Sequence, residues 1–85
     1  MKYNIRLTAE TEAGICTLLT NLENGKSVEE SWIKEDDEWF AENEWGERGS
    51  MLPCLYDIVG RDDEFCDAIL NKLVASPENE ITFNA

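Results

Sequence analysis

The sequence predicts a small α+β domain in which N- and C-terminal strands pair in an antiparallel sheet packed against three to four helices. Three observations lead there. The first and last stretches alternate apolar and polar residues with period two. The stretches between them space their apolar residues three and four apart. At 85 residues the chain has the length of a single domain, residues 1–85, and its poor surface-to-volume ratio leaves no room for a second core or a large enclosed cavity.

Each element has its own warrant. Tyr3, Ile5 and Leu7 fall on one face of the opening segment and Lys2, Asn4, Arg6 and Thr8 on the other, the pattern of a half-buried strand. From Thr11 the period changes: Ile15, Leu18, Leu19 and Leu22 occupy one helical stripe, predicting a helix to about Glu23 that Asn24-Gly25 would end. Ser27-Val28-Glu29-Glu30 reads as a capping box opening a second helix to about Asn43, with Val28, Trp32, Ile33, Asp36, Trp39 and Phe40 in one arc. Asp36 is the weak point of that arc. The alternatives are a break near Glu35-Asp36-Asp37, or a hairpin with Trp32-Ile33-Lys34 and Glu38-Trp39-Phe40 as its arms.

Glu44 to Ser50 contains Gly46 and Gly49 and reads as a loop. Leu52-Pro53 opens a short helix through Leu55, Tyr56, Ile58 and Val59, interrupted by Gly60. Asp62, Asp63 and Glu64 suit a helix N-terminus, and Phe65, Cys66, Ile69, Leu70 and Leu73 build the last helix, which Ser76-Pro77 stops. Ile81 and Phe83 share one side of a closing strand, Glu80 to Asn84. Two strands alone are marginal in water. The sheet is therefore expected to be covered by helices, to gain a strand from the middle segment, or to continue across a homodimer interface.

Charge narrows the function. Asp+Glu 19 against Lys+Arg 7 gives a formal net charge of −12, and there is no histidine. The commonest general base and nitrogen metal ligand are thus missing, so no catalytic residue, metal or cofactor is expected and the protein is read as a non-enzyme. A surface this acidic repels nucleic acid and anionic lipid, so direct nucleic-acid or membrane binding is not expected, and a macromolecular partner should be basic. The hydrophobic share of 42% and aromatic share of 9% favour folding over disorder. Cys16, Cys54 and Cys66 form no CxxC pair and read as reduced, semi-buried apolar residues. Cys54 sits where a helix N-terminus can lower a thiol pKa, but without a histidine partner it reads as structural. With no signal-peptide pattern and no transmembrane run, the expected location is the cytoplasm, that of the host if the gene is phage-borne.

The acids are concentrated. Nine of the nineteen lie between Glu29 and Glu47, together with all three tryptophans. Charge runs usually face water and periodic aromatics usually face the core, which is the plain reading of this stretch. The functional reading is mimicry: regularly spaced carboxylates imitate backbone phosphates and occupy a Lys/Arg groove evolved for nucleic acid. The expected contact residues are Glu35, Asp36, Asp37, Glu38, Glu42 and Glu44, with Trp45 as the exposed aromatic, while Trp32, Trp39 and Phe40 are expected in the core. Asp57, Asp62, Asp63, Glu64 and Asp67 form a second cluster able to extend the same surface. The spacing of Glu35-Asp36-Asp37-Glu38 does not fit a calcium loop.

In size and charge the chain is similar to the small acidic inhibitors that phages use against restriction or CRISPR machinery, and to immunity proteins and antitoxins that cover basic nucleases. That similarity is one of composition and assigns no residue roles. The expectation is a non-enzymatic inhibitor, of anti-CRISPR or anti-restriction type, that blocks the basic surface of a host-defence nuclease complex. The alternatives are an immunity protein or antitoxin for a basic nuclease toxin, and a dimeric adaptor without mimicry.

Overall fold

The opening strand forms as its alternation predicts, but it belongs to a larger sheet than expected. A computed structural model describes residues 1–41 and 54–85. It contains strands β1 (Lys2–Glu10), β2 (Gly14–Asn21), β3 (Ser27–Glu35) and β4 (Glu38–Ala41), helices α1 (Leu55–Ile58) and α2 (Asp63–Ala75), and strand β5 (Glu80–Asn84). The strands make one antiparallel sheet in the order β4-β3-β2-β1-β5, curled into a half-barrel. The terminal strands do pair, with Tyr3 opposite Phe83 and Ile5 opposite Ile81. The expected α+β arrangement of three to four helices on a small sheet is overturned: the chain is mostly β, with two short helices among the described residues.

The error lies in two segments. The helix expected over Thr11 to Glu23 is β2, whose residues alternate strictly, with Ile15, Thr17, Leu19 and Asn21 buried. Ile15 and Leu19 satisfy a period of two as well as one of 3.6, so the apolar stripe was ambiguous. Gly14 decides between them. A side chain there would run into the Trp32 carbonyl of β3, so the glycine permits close approach of two strands. Leu22, counted in the helical stripe, is exposed in the turn between β2 and β3, where Gly25 takes a φ of 76°.

The helix expected from Ser27 to Asn43 is the β3–β4 hairpin, the alternative that Asp36 had raised; Glu42 and Asn43 lie outside the described residues. Glu35 pairs with Glu38, and Asp36 and Asp37 between them have φ of 50° and 65°, the double left-handed turn that matches strand twist. The expected loop at Glu44 to Ser50 also lies outside the described residues, as do Leu52 and Pro53 of the short helix.

α2 is as expected. Asp62 caps it by accepting from the Phe65 amide at 3.1 Å, Asp63 and Glu64 occupy the first turn and Lys72 the last. Cys66, Ile69, Leu70 and Leu73 are buried against Ile5, Leu19, Trp32 and Leu55 in one core, whereas Phe65 is exposed. No helix among the described residues is long and apolar enough to cross a membrane.

Candidate functional site

Buried polar chemistry holds the hairpin against the helices. Glu30 occupies an inward position of β3 between Val28 and Trp32 and is almost fully buried. Its Oε1 accepts from the Leu55 amide at 2.8 Å. Cys54, the residue capping α1, makes no side-chain cap bond, so a carboxylate from β3 receives a free helix amide instead. Glu30 is thus not the second half of a capping box with Ser27. The Trp32 indole donates to Thr17 Oγ1 at 3.1 Å, and the Trp39 indole to Asn71 Oδ1 at 2.9 Å. Among the described residues no buried side-chain polar atom is left without a partner.

The contact that organises the site is at the sheet edge. Glu35 and Glu38, and Ile33 and Phe40, face each other across the hairpin, so the backbone of Trp39 turns away from β3. Its N–H donates to Asp67 Oδ1 of α2 at 3.2 Å. This bond brings the N-terminal half of α2 alongside β4. It therefore sets the hairpin acids Glu35, Asp36, Asp37 and Glu38 on an element adjoining that of Asp62, Asp63, Glu64 and Asp67. Lys34 lies over the Trp39 ring at 5.3 Å from its centre. Arg61 is tied to Asp57 at 3.0 Å and lies against Tyr56.

Between the hairpin and the helices is a cleft of about 350 Å³, whose lining includes Glu30, Trp39, Tyr56, Asp63, Cys66 and Asp67. Its thiols are poor nucleophiles. Burial, assisted by Asp67, Glu30 and Asp63, pushes Cys66 up to about 12, and burial also pushes Cys54 up to about 11, a rise that the backbone hydrogen bond at Asp57 opposes and that the Asp57 carboxylate and Glu30 reinforce. The lowered pKa that a helix N-terminus can give is not realised at Cys54. All three cysteines are free, with Cys66 buried and Cys16 and Cys54 half-buried. Among the described residues, no three of His, Cys, Asp or Glu gather in a way that could hold a metal ion.

Of the residues expected to make contact, Glu35, Asp36, Asp37 and Glu38 are together at the exposed tip of the hairpin. Glu42, Glu44 and Trp45 lie outside the described residues. Trp32 and Trp39 are buried as expected, but Phe40 is 48% exposed on the outer face, beside Ile33. Asn71 was not singled out by sequence, and Glu30 only as a capping-box partner of Ser27; the signal for its actual place was a polar residue on the apolar side of a period-two pattern. The chain matches no family model, no curated protein and no solved structure.

Proposed function

We propose that this protein is a non-enzymatic, protein-binding inhibitor whose acidic surface competes with nucleic acid for the basic groove of its partner, a nuclease component of host defence. The observation that carries this reading is the bond from the Trp39 amide to Asp67, which joins two acidic clusters into neighbours. The turn suits the role, because Glu35 pairs with Glu38 and the two enclose Asp36 and Asp37, so four exposed carboxylates crowd one tip of the hairpin. Buried Trp39, held by Asn71 and Asp67, makes the support rigid. A preformed array of charge loses little conformational entropy on binding.

The test uses the immobilised protein and extracts of its natural host. Captured basic proteins should be released by competing duplex DNA or by salt, since attraction between exposed charges is screened within about 8–10 Å at physiological ionic strength. Replacing Asp36, Asp37 and Glu38 by lysine should abolish capture while leaving the circular dichroism spectrum unchanged. Capture indifferent to both salt and DNA, or retained by the charge-reversed variant, refutes mimicry.

A further inference from the structure

The two edges of the sheet are finished differently. At β4 the outward amide of Trp39 is occupied by Asp67. At β5 the rungs to β1 fall at odd residues: the Leu7 amide donates to the Asn79 carbonyl at 2.9 Å and the Ala85 amide to the Met1 carbonyl at 3.0 Å. Alternation along the ladder then places Tyr3–Phe83 and Ile5–Ile81 as the hydrogen-bonded pairs between them. The backbone groups of Glu80, Thr82 and Asn84 turn away from β1, toward the open edge. The Glu80 carbonyl accepts from Ser76 Oγ at 3.4 Å. Among the described residues no neighbouring strand covers those of Thr82 and Asn84.

This edge is lightly protected, with Glu80 its one charged side chain. Proline, lysine and bulges blunt natural edge strands, and Glu80-Ile81-Thr82-Phe83-Asn84 has none of them. Its charge is unlike the rest of the molecule. On β1 and β5 together Lys2 and Arg6 balance Glu10 and Glu80, within a chain of net charge −12. This side is the one on which two copies can meet without strong repulsion.

We infer that β5 is a self-association edge, pairing antiparallel with β5 of a second copy about a two-fold axis at Thr82. The register is self-complementary. Thr82 exchanges both backbone bonds with its own counterpart, and Glu80 pairs with Asn84 of the second copy. On the inner face Ile81 lies opposite Phe83 of the second copy; both side chains are only half-buried in one chain, where Phe83 stacks on Tyr3 at 5.7 Å. On the outer face the cross-strand row reads Arg6, Glu80, then Asn84 and Lys2 of the second copy, so opposite charges flank the joint. Arg6 and Glu80 are already 3.9 Å apart. The joined edge is short, and interfaces below about 1,200 Å² belong to weak association. The dimer is therefore concentration-dependent, and because screening relieves the repulsion between two acidic bodies it tightens with salt.

Sedimentation over rising protein concentration in high salt tests this, with amide hydrogen exchange read residue by residue. The expected result is growth toward twice the chain mass, with slowed exchange at Thr82 and Asn84 and no change at Phe83, which is already bonded to Tyr3. Thr82→Pro removes an amide that β1 does not use, so the monomer keeps its ladder while association weakens at least about tenfold. Thr82→Lys, at an exposed position, gives the same loss by placing like charges on the axis. A wild-type protein monomeric up to its solubility limit overturns the inference, as does a dimer that survives both substitutions.

Discussion

Cys66 and Glu30 show how this small protein settles polar groups inside its core. The Cys66 thiol is buried under α2 with its pKa raised to about 12 from an ordinary value of 9.0, so the folded protein prefers it neutral. The unfolded chain binds fewer protons above pH 9 than the native state does. Stability from this group is fully present below pH 9 and is lost as pH rises through about 12, with Cys54 adding to the loss up to about 11. Urea midpoints should stay level to about pH 9 and fall steadily above it, and Cys66→Ala should flatten that fall. A wild-type profile without alkaline decline contradicts the assignment. Glu30 solves a different problem: its carboxyl group is placed in the core to satisfy the Leu55 amide at 2.8 Å.

At the scale of elements, the β3–β4 turn is unusual in its chemistry. Asn-Gly or Asp-Gly is the favoured filling for a turn with two left-handed residues, and here two aspartates take the positions at φ of 50° and 65°. They carry both backbone strain and mutual repulsion. Asp36→Asn with Asp37→Gly should therefore stabilise the fold by about 1 kcal/mol, measured by urea denaturation, while reducing capture of the basic partner. A variant more stable and equally competent in capture would separate these aspartates from binding. The same turn explains what sequence could and could not convey. The terminal strands, α2 and the acidic tip were legible because each had a single periodicity or an unambiguous charge run. β2 and β3 were not, because Ile15, Leu19, Val28 and Trp32 fit two periods at once. The deciding facts were non-local: Gly14 against the Trp32 carbonyl, and Glu30 reaching an amide twenty-five residues away.

For the whole molecule, charge acts in three directions that salt can separate. A chain of net charge −12 repels itself when compact. Raising ionic strength should therefore raise the melting temperature, tighten the proposed β5–β5 association and weaken capture of a basic partner. A melting temperature unmoved by salt would mean that the acids are spaced widely enough not to interact.

The sheet order has a further consequence, for assembly in time. β1 to β4 form a meander in which each strand meets the next across a short turn, and such local closures are rapid. β5 alone must return across nearly the whole chain to find β1. Until it arrives, the amides of Tyr3 and Ile5 stand open beside a newly formed core. The last strand from another chain offers them the same register, so the route to completion is also the route by which two folding chains can exchange their C-terminal strands.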